Sequence, residues 1–163
     1  RPPRSTLFPY TTLFRSEKPV PTLPKVESKR EMTVFFADDS VVARKEIVSV
    51  LDKIGVKYIQ ANDDLEAWDK LVNMAKRATA EQSSLKNQIQ LILVDAEMPE
   101  MDGYVLTRNI KSDSRFAGIP VIMHSSLSSE ANRTMGQRVG VDAYVAKFDP
   151  AVLADTLTAF LKR

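Results

Sequence analysis

Six side chains able to do chemistry stand at the ends of apolar runs in this sequence. Asp38 and Asp39 follow TVFFA, Asp95 follows IQLILV, Ser125 and Ser126 end the segment VIMHSS, and Lys147 follows AYVA. Short, β-rich apolar runs of this kind read as strands buried on both faces. If the strands lie side by side, three carboxylates, a hydroxyl and an ammonium converge on one rim. Like charges about 4 Å apart repel by roughly 4 kcal/mol at an effective dielectric near 20, so the three carboxylates call for a cation. Hard oxygen ligands with open positions favour Mg2+, and Mg2+ held partly by water is suited to complete its shell with a phosphoryl oxygen. One carboxylate can then act as nucleophile, as in aspartyl-phosphate chemistry. Lys147 and a hydroxyl would hold and neutralise the equatorial oxygens.

The segment after Asp95 fits this role. In Asp95-Ala96-Glu97-Met98-Pro99-Glu100-Met101-Asp102-Gly103, the nucleophile stands at a strand tip and Met98-Pro99 stiffens the loop. Asp102-Gly103 supplies a turn before the next helix. A backbone carbonyl near Glu97 is a further candidate metal ligand.

The elements that must position these groups alternate along residues 32–163. Thr33–Ala37 is a strand, and Ser40 caps a helix with Ile47, Val50, Leu51 and Ile54 at helical spacing, ended by Gly55. Lys57–Ala61 is a second strand, and Asp64 opens a long helix with Leu65, Trp68, Val72 and Ala75 on one face. A polar stretch, Thr79–Gln88, leads to the strand Ile89–Val94, followed by a helix over about 104–112. Pro120 and the strand Val121–Met123 come next, then a helix with Ala131, Met135 and Val139, then the strand Ala143–Ala146. Asp149 as N-cap and Pro150 at the first position start the last helix, whose stripe is Leu153, Leu157, Phe160 and Leu161. Five strand–helix alternations call for an α/β fold, a doubly wound parallel sheet with helices on both faces. Right-handed crossovers leave few topologies, and the natural one for five units is the flavodoxin-like order 2-1-3-4-5. Ligands in such sheets bind outside the carboxyl ends of the strands, at the switch point between strands 1 and 3.

Composition excludes several other classes. The chain has no cysteine and one histidine, which removes disulfide frameworks, thiolate metal sites and two-histidine motifs. No apolar run approaches the ~18 residues of a membrane span, so no membrane insertion is expected. Residues 1–31 carry seven Lys/Arg against three Asp/Glu, and residues 32–163 carry sixteen against eighteen, so the folded part is mildly acidic and gives no sign of nucleic-acid binding. Six of the nine prolines fall in the first 24 residues, which marks a change of character near residue 31. Residues 1–16 read as a non-native leader, residues 17–31 as a Pro- and charge-rich linker following another domain, and residues 32–163 as the folded domain.

Asp38-Asp39, LVDAEMPEMDG, VIMHSS and DAYVAK, in this order and spacing, resemble a bacterial response-regulator receiver domain of the CheY-like chemotaxis type. The resemblance spans essentially all of residues 32–163. ADDSVVARK with DAYVAKFDP resembles more particularly the receiver half of the CheV family, which joins a CheW-like coupling domain to a C-terminal receiver. It implies a cytoplasmic signalling domain rather than an enzyme, one that takes a phosphoryl group from a CheA-like histidine kinase in the presence of Mg2+. It also implies association with a chemoreceptor–kinase array through the upstream CheW-like domain. By position, Asp95 is the phosphoacceptor, Asp38 and Asp39 bind Mg2+, and Ser125 is the switch hydroxyl. Lys147 is the phosphoryl partner and Tyr144 the aromatic whose rotamer reports activation. Two residues depart from the pattern. Phe148 stands where receivers usually have proline after the lysine, and a cis bond to a non-proline costs roughly 3 kcal/mol. Glu97 adds a carboxylate two residues after Asp95, placed to repel water or an anionic donor.

Other readings remain beside this one. A receiver fold can serve as a non-phosphorylated adaptor. A haloacid-dehalogenase-like phosphatase would need an acid where Ser40 stands, and a flavodoxin would need a Ser/Thr/Gly-rich phosphate loop that ADDSVV does not supply. His124 and Trp68 read as packing residues and Tyr144 equally as core filler. Arg133 and Arg138 read as a solvated face or part of a partner surface on the fourth helix.

Overall fold

Unalternating apolar residues cannot leave either strand face in water, and the chain resolves this by stacking helices on both sides of its sheet. The computed structural model describes residues 31–97, 102–126 and 130–162, with side chains omitted at 130–132. The leader and most of the linker, the Met98-Pro99 loop and the Ala131 side chain therefore lie outside the described residues. The strands are β1 (Thr33–Ala37), β2 (Lys57–Ala61), β3 (Leu91–Asp95), β4 (Val121–Ser125) and β5 (Ala143–Ala146). They pair in parallel in the order β2-β1-β3-β4-β5, as the alternation predicts.

Two cores flank this sheet. Val34, Phe36, Leu91, Leu93, Ile122 and Val145 pack against α1 (Val41–Ile54) and α5 (Pro150–Leu161). Phe35, Ile92, Val94 and Val121 pack on the other side against α2 (Asp64–Ala80) and α3 (Gly103–Lys111). The fifth helix, α4, covers Glu130–Val139. Ser40 accepts from the Ala43 amide at the start of α1, and Gly55 ends that helix in the left-handed region at φ 84°. Asp149 caps α5 as expected, with its side chain accepting from the Val152 amide. Among the described residues no helix is long and apolar enough to cross a membrane.

Several expectations shift. The buried stripe of α2 is Ala67, Leu71, Ala75 and Ala78, while Leu65 is 45% exposed. Asp64 opens the helix as expected, with Asp63 as its N-cap, and Trp68 sits at the edge of the core beside Phe116. β3 begins at Leu91, with Ile89 buried ahead of it, and β4 runs on through His124 to Ser125. The polar stretch at 79–88 contains the end of α2 and a 3-10 turn that buries Leu85. In α4, Met135 points outward, half exposed, and Gly136 is buried.

Candidate functional site

Parallel pairing places every strand's carboxyl end on one rim, and the order puts β3 between β1 and β4. Asp38 follows β1 directly and Asp95 is the last residue of β3, so the strand neighbours carry the carboxylates to one point. One carboxylate oxygen from each of Asp38, Asp39 and Asp95 lies within 4.8 Å of the others. Asp38 and Asp95 are buried, and Asp39 is exposed. The Ser40 amide donates to Asp38 Oδ1 at 2.9 Å, and Arg44 Nη1 donates to the Asp38 carbonyl at 2.7 Å. The Glu97 amide donates to Asp95 Oδ1 at 3.1 Å. Lys147 Nζ stands 3.0 Å from Asp95 Oδ1 and 3.3 Å from Asp38 Oδ2.

Gly103 sets how closely the following helix approaches. A Cβ there would strike the Asp95 carbonyl oxygen and lie 2.9 Å from Ala96 Cα, so α3 begins against the end of β3 only because this residue is glycine. Asp102 caps that helix through the Val105 amide at 2.9 Å.

The electrostatics follow from burial. Desolvation first, then the charge of Asp38, push the Asp95 carboxyl up to about 7 against the opposing pull of Lys147 and the Glu97 amide. Burial pulls the Lys147 ammonium down, but its contacts with Asp95 and Asp38 outweigh that and hold it above its ordinary range. The buried His124 imidazole, beside Asp95 in strand register, is lowered to about 4 by desolvation and then by Lys147.

Asp95 Oδ2 is buried with no hydrogen-bond partner among the described residues. A buried anionic oxygen left unpaired is costly, and three converging carboxylates are the hard donor set that Mg2+ takes. The residues present fit that ion.

Ser125 and Glu97 also meet, in a way the sequence did not disclose. The Ser125 hydroxyl donates to Glu97 Oε2, and Ser126 donates to Glu97 Oε1 through its amide at 3.2 Å and its hydroxyl at 2.9 Å. The Glu97 carboxylate is thereby held at the β4 end. Tyr144 is hydrogen-bonded with Tyr104 of α3 and covered by the Arg133 guanidinium 5.3 Å from its ring centroid. Burial first, then Tyr144, raise the Tyr104 hydroxyl above its ordinary range. The peptide between Lys147 and Phe148 is trans, and Lys147 still reaches both buried carboxylates. Phe148 takes a left-handed φ of 67° and is 68% exposed.

Sequence reasoning missed Arg44, Tyr104 and the Glu97 acceptor role. Arg44 falls six residues after Asp38, within reach of a strand end by one turn of α1. Nothing local marks Tyr104 or the partners of Glu97.

Residues 34–158 match the model of the response regulator receiver domain. The chemotaxis protein CheV3 of Helicobacter pylori is 33% identical over 133 residues, covering 82% of this chain and 42% of that protein. The chemotaxis protein CheY1 of the same strain is 33% identical over 132 residues, 80% of this chain and 97% of that protein. The chain thus spans less than half the length of the CheV relative it matches. Among solved structures, the receiver domain of the histidine kinase CKI1 from Arabidopsis thaliana, complexed with Mg2+ and BeF3-, superposes with a TM-score of 0.69 at 26% identity over 81% of this chain and 91% of that one. Fold, rim and sequence agree, and the chain belongs to the response-regulator receiver domain family, of the CheY-like and CheV type.

Proposed function

We propose that this domain is a phosphorylation switch of chemotaxis signalling, with Asp95 as its phosphoacceptor. The observation that carries the reading is the buried Asp95 carboxylate, with one oxygen against Lys147 at 3.0 Å and the other unpartnered. An Asp95 oxygen attacks the phosphorus of a kinase phosphohistidine, a P–O bond forms, the P–N bond breaks, and the electron pair stays with the imidazole, which takes a proton. Lys147 neutralises the transferred group, and Ser125 supplies a hydroxyl to its oxygens. Asp38, Asp39 and Asp95, with the Glu97 carbonyl, would hold Mg2+, which would supply neutralising charge at the phosphoryl oxygens. Tyr144 is the aromatic that follows Ser125, biasing the face of α4, β5 and α5 toward one partner or another.

The partner in this reading is a CheA-like histidine kinase in the cytoplasm. Residues 17–31 link the receiver, residues 32–163, to a CheW-like domain that docks on the chemoreceptor array, and residues 1–16 are foreign to it. The domain acts as signalling module, turning over only its own phosphoryl group. Intact mass after incubation with acetyl phosphate and Mg2+ tests this. One phosphoryl adduct is expected in wild type, lost in Asp95→Asn and in chelator. Folded wild type that forms no adduct would favour the adaptor reading, for which the Glu97 hold on Ser125 is the supporting observation.

A further inference from the structure

Three donors on the β4 end aim at one anion. Ser125 is wholly buried, yet its hydroxyl is spent on Glu97 Oε2, and the Ser126 amide and hydroxyl both go to Glu97 Oε1. A hydroxyl and a backbone N–H converging at a strand end form an anion cradle, the same donor set that an oxyanion or phosphoryl group takes. Here the anion is a side chain of the protein itself. Its backbone is tied to the acceptor residue, because the Glu97 amide donates to Asp95 Oδ1 at 3.1 Å. One residue therefore bridges the two loops, with its amide on the β3 end and its carboxylate on the β4 end.

We propose that the Glu97 carboxylate is an internal stand-in for the phosphoryl group, a clasp that keeps Ser125 and Ser126 engaged until an incoming phosphoryl displaces it. The inference rests on Asp95 as phosphoacceptor and adds what regulates that site. Charge-assisted hydrogen bonds are the strong ones, so the donors leave Glu97 only for a group that offers more negative charge. A phosphoryl group on Asp95, carrying about two charges, meets that condition, whereas a neutral partner does not. Glu97 thereby holds the domain in its unswitched form and sets a threshold for switching. Once released, the carboxylate stands at the mouth of the site and no longer bridges the loops.

The test is binding of beryllofluoride, a phosphoryl analogue, by titration calorimetry in Mg2+, with wild type, Glu97→Ala, Ser125→Ala and the double variant. Glu97→Ala should bind about ten-fold more tightly than wild type, the order of one charge-assisted hydrogen bond no longer opposed. The gain should shrink in the Ser125→Ala background, where only the two Ser126 contacts still hold Glu97. Without analogue, the Ser126 amide proton should shift upfield in Glu97→Ala, reporting a lost hydrogen bond. Equal binding by wild type and Glu97→Ala, or a gain undiminished in the Ser125→Ala background, overturns the clasp, the latter showing through-space repulsion instead. An unmoved Ser126 amide also overturns it. Failure of every form to bind the analogue defeats the phosphoryl-switch reading itself, and the clasp with it.

Discussion

Lys147 reaches Asp95 across a whole strand, its Nζ 3.0 Å from Asp95 Oδ1 although β4 lies between their two strands. Strands stand about 4.8 Å apart, so the residues are separated by roughly two spacings, which the extended lysine stem spans. The side chain is 9% exposed, so the ammonium balances two buried carboxylates with little help from water. Lys147→Met keeps most of the stem and removes the charge. It should destabilise the metal-free protein by about 3 kcal/mol at pH 8, as expected when a buried ion pair loses one member. The loss should be smaller at pH 6, below the Asp95 value of about 7, because there the carboxyl is largely protonated and depends less on the cation. Urea unfolding at the two pH values reads this, and an equal loss at both would contradict it.

Asp95 and His124 tie stability to pH with opposite signs. Asp95 is raised to about 7, so its contribution is fully present below its unfolded value of 3.8 and lost as pH rises through 7. His124 is lowered to about 4, so its contribution is present above 6.5 and lost as pH falls through 4. Between pH 4 and 6.5 the slopes oppose each other, each at most about 1.4 kcal/mol per pH unit. Relative to wild type, Asp95→Asn should lose stability on acidification over this window and His124→Leu should gain it. Denaturant unfolding in chelator measures both, and variants that track wild type would sink the assignment.

Divalent cation should matter most where Asp95 is ionised. Above pH 7 the Asp95 and Asp38 carboxylates face each other buried, and a cation at their oxygens relieves the repulsion. Added Mg2+ should therefore raise the melting temperature more at pH 8 than at pH 6, by mass action on the folded state, with EDTA reversing it. Asp95→Asn should shrink the shift. A Mg2+ effect independent of pH and of Asp95 would place the ion elsewhere.

Phe148 holds a left-handed backbone with its ring mostly in water. A non-glycine residue there costs roughly 1 kcal/mol, and the exposed ring returns little packing. Glycine removes that strain but gives the unfolded chain more freedom. Phe148→Gly should thus change stability by under about 1 kcal/mol, whereas Phe148→Pro, whose φ is fixed near −65°, must rebuild the turn. The proline variant should lower the melting temperature or move Lys147 off Asp95, seen as a changed Asp95 titration by NMR. A proline variant identical to wild type in both readouts would refute the argument.

What the sequence determined by itself is the architecture and the carboxylate–lysine cluster. TVFFA and IQLILV are buried strands because no alternation offers water a face, and alternation with helices makes the sheet parallel. Parallel order alone then turns "residue after a strand" into "residue on the rim", which is why Asp38, Asp39, Asp95 and Lys147 were legible one by one. Tertiary structure decided everything that depends on what stands opposite. Leu65 and Ala67 both sit at helix-compatible positions, and only the phase set by the Asp63 cap and the packing against β1 and β2 chose Ala67 for the core. Tyr144 gains Tyr104 and Arg133 as neighbours from two other helices. Glu97 and Ser125 are 28 residues apart, and no local pattern says that a carboxylate on one strand end turns to a hydroxyl on the next. A strand end fixes where a side chain starts, and its rotamer is settled by the donors that the neighbouring strand brings within reach.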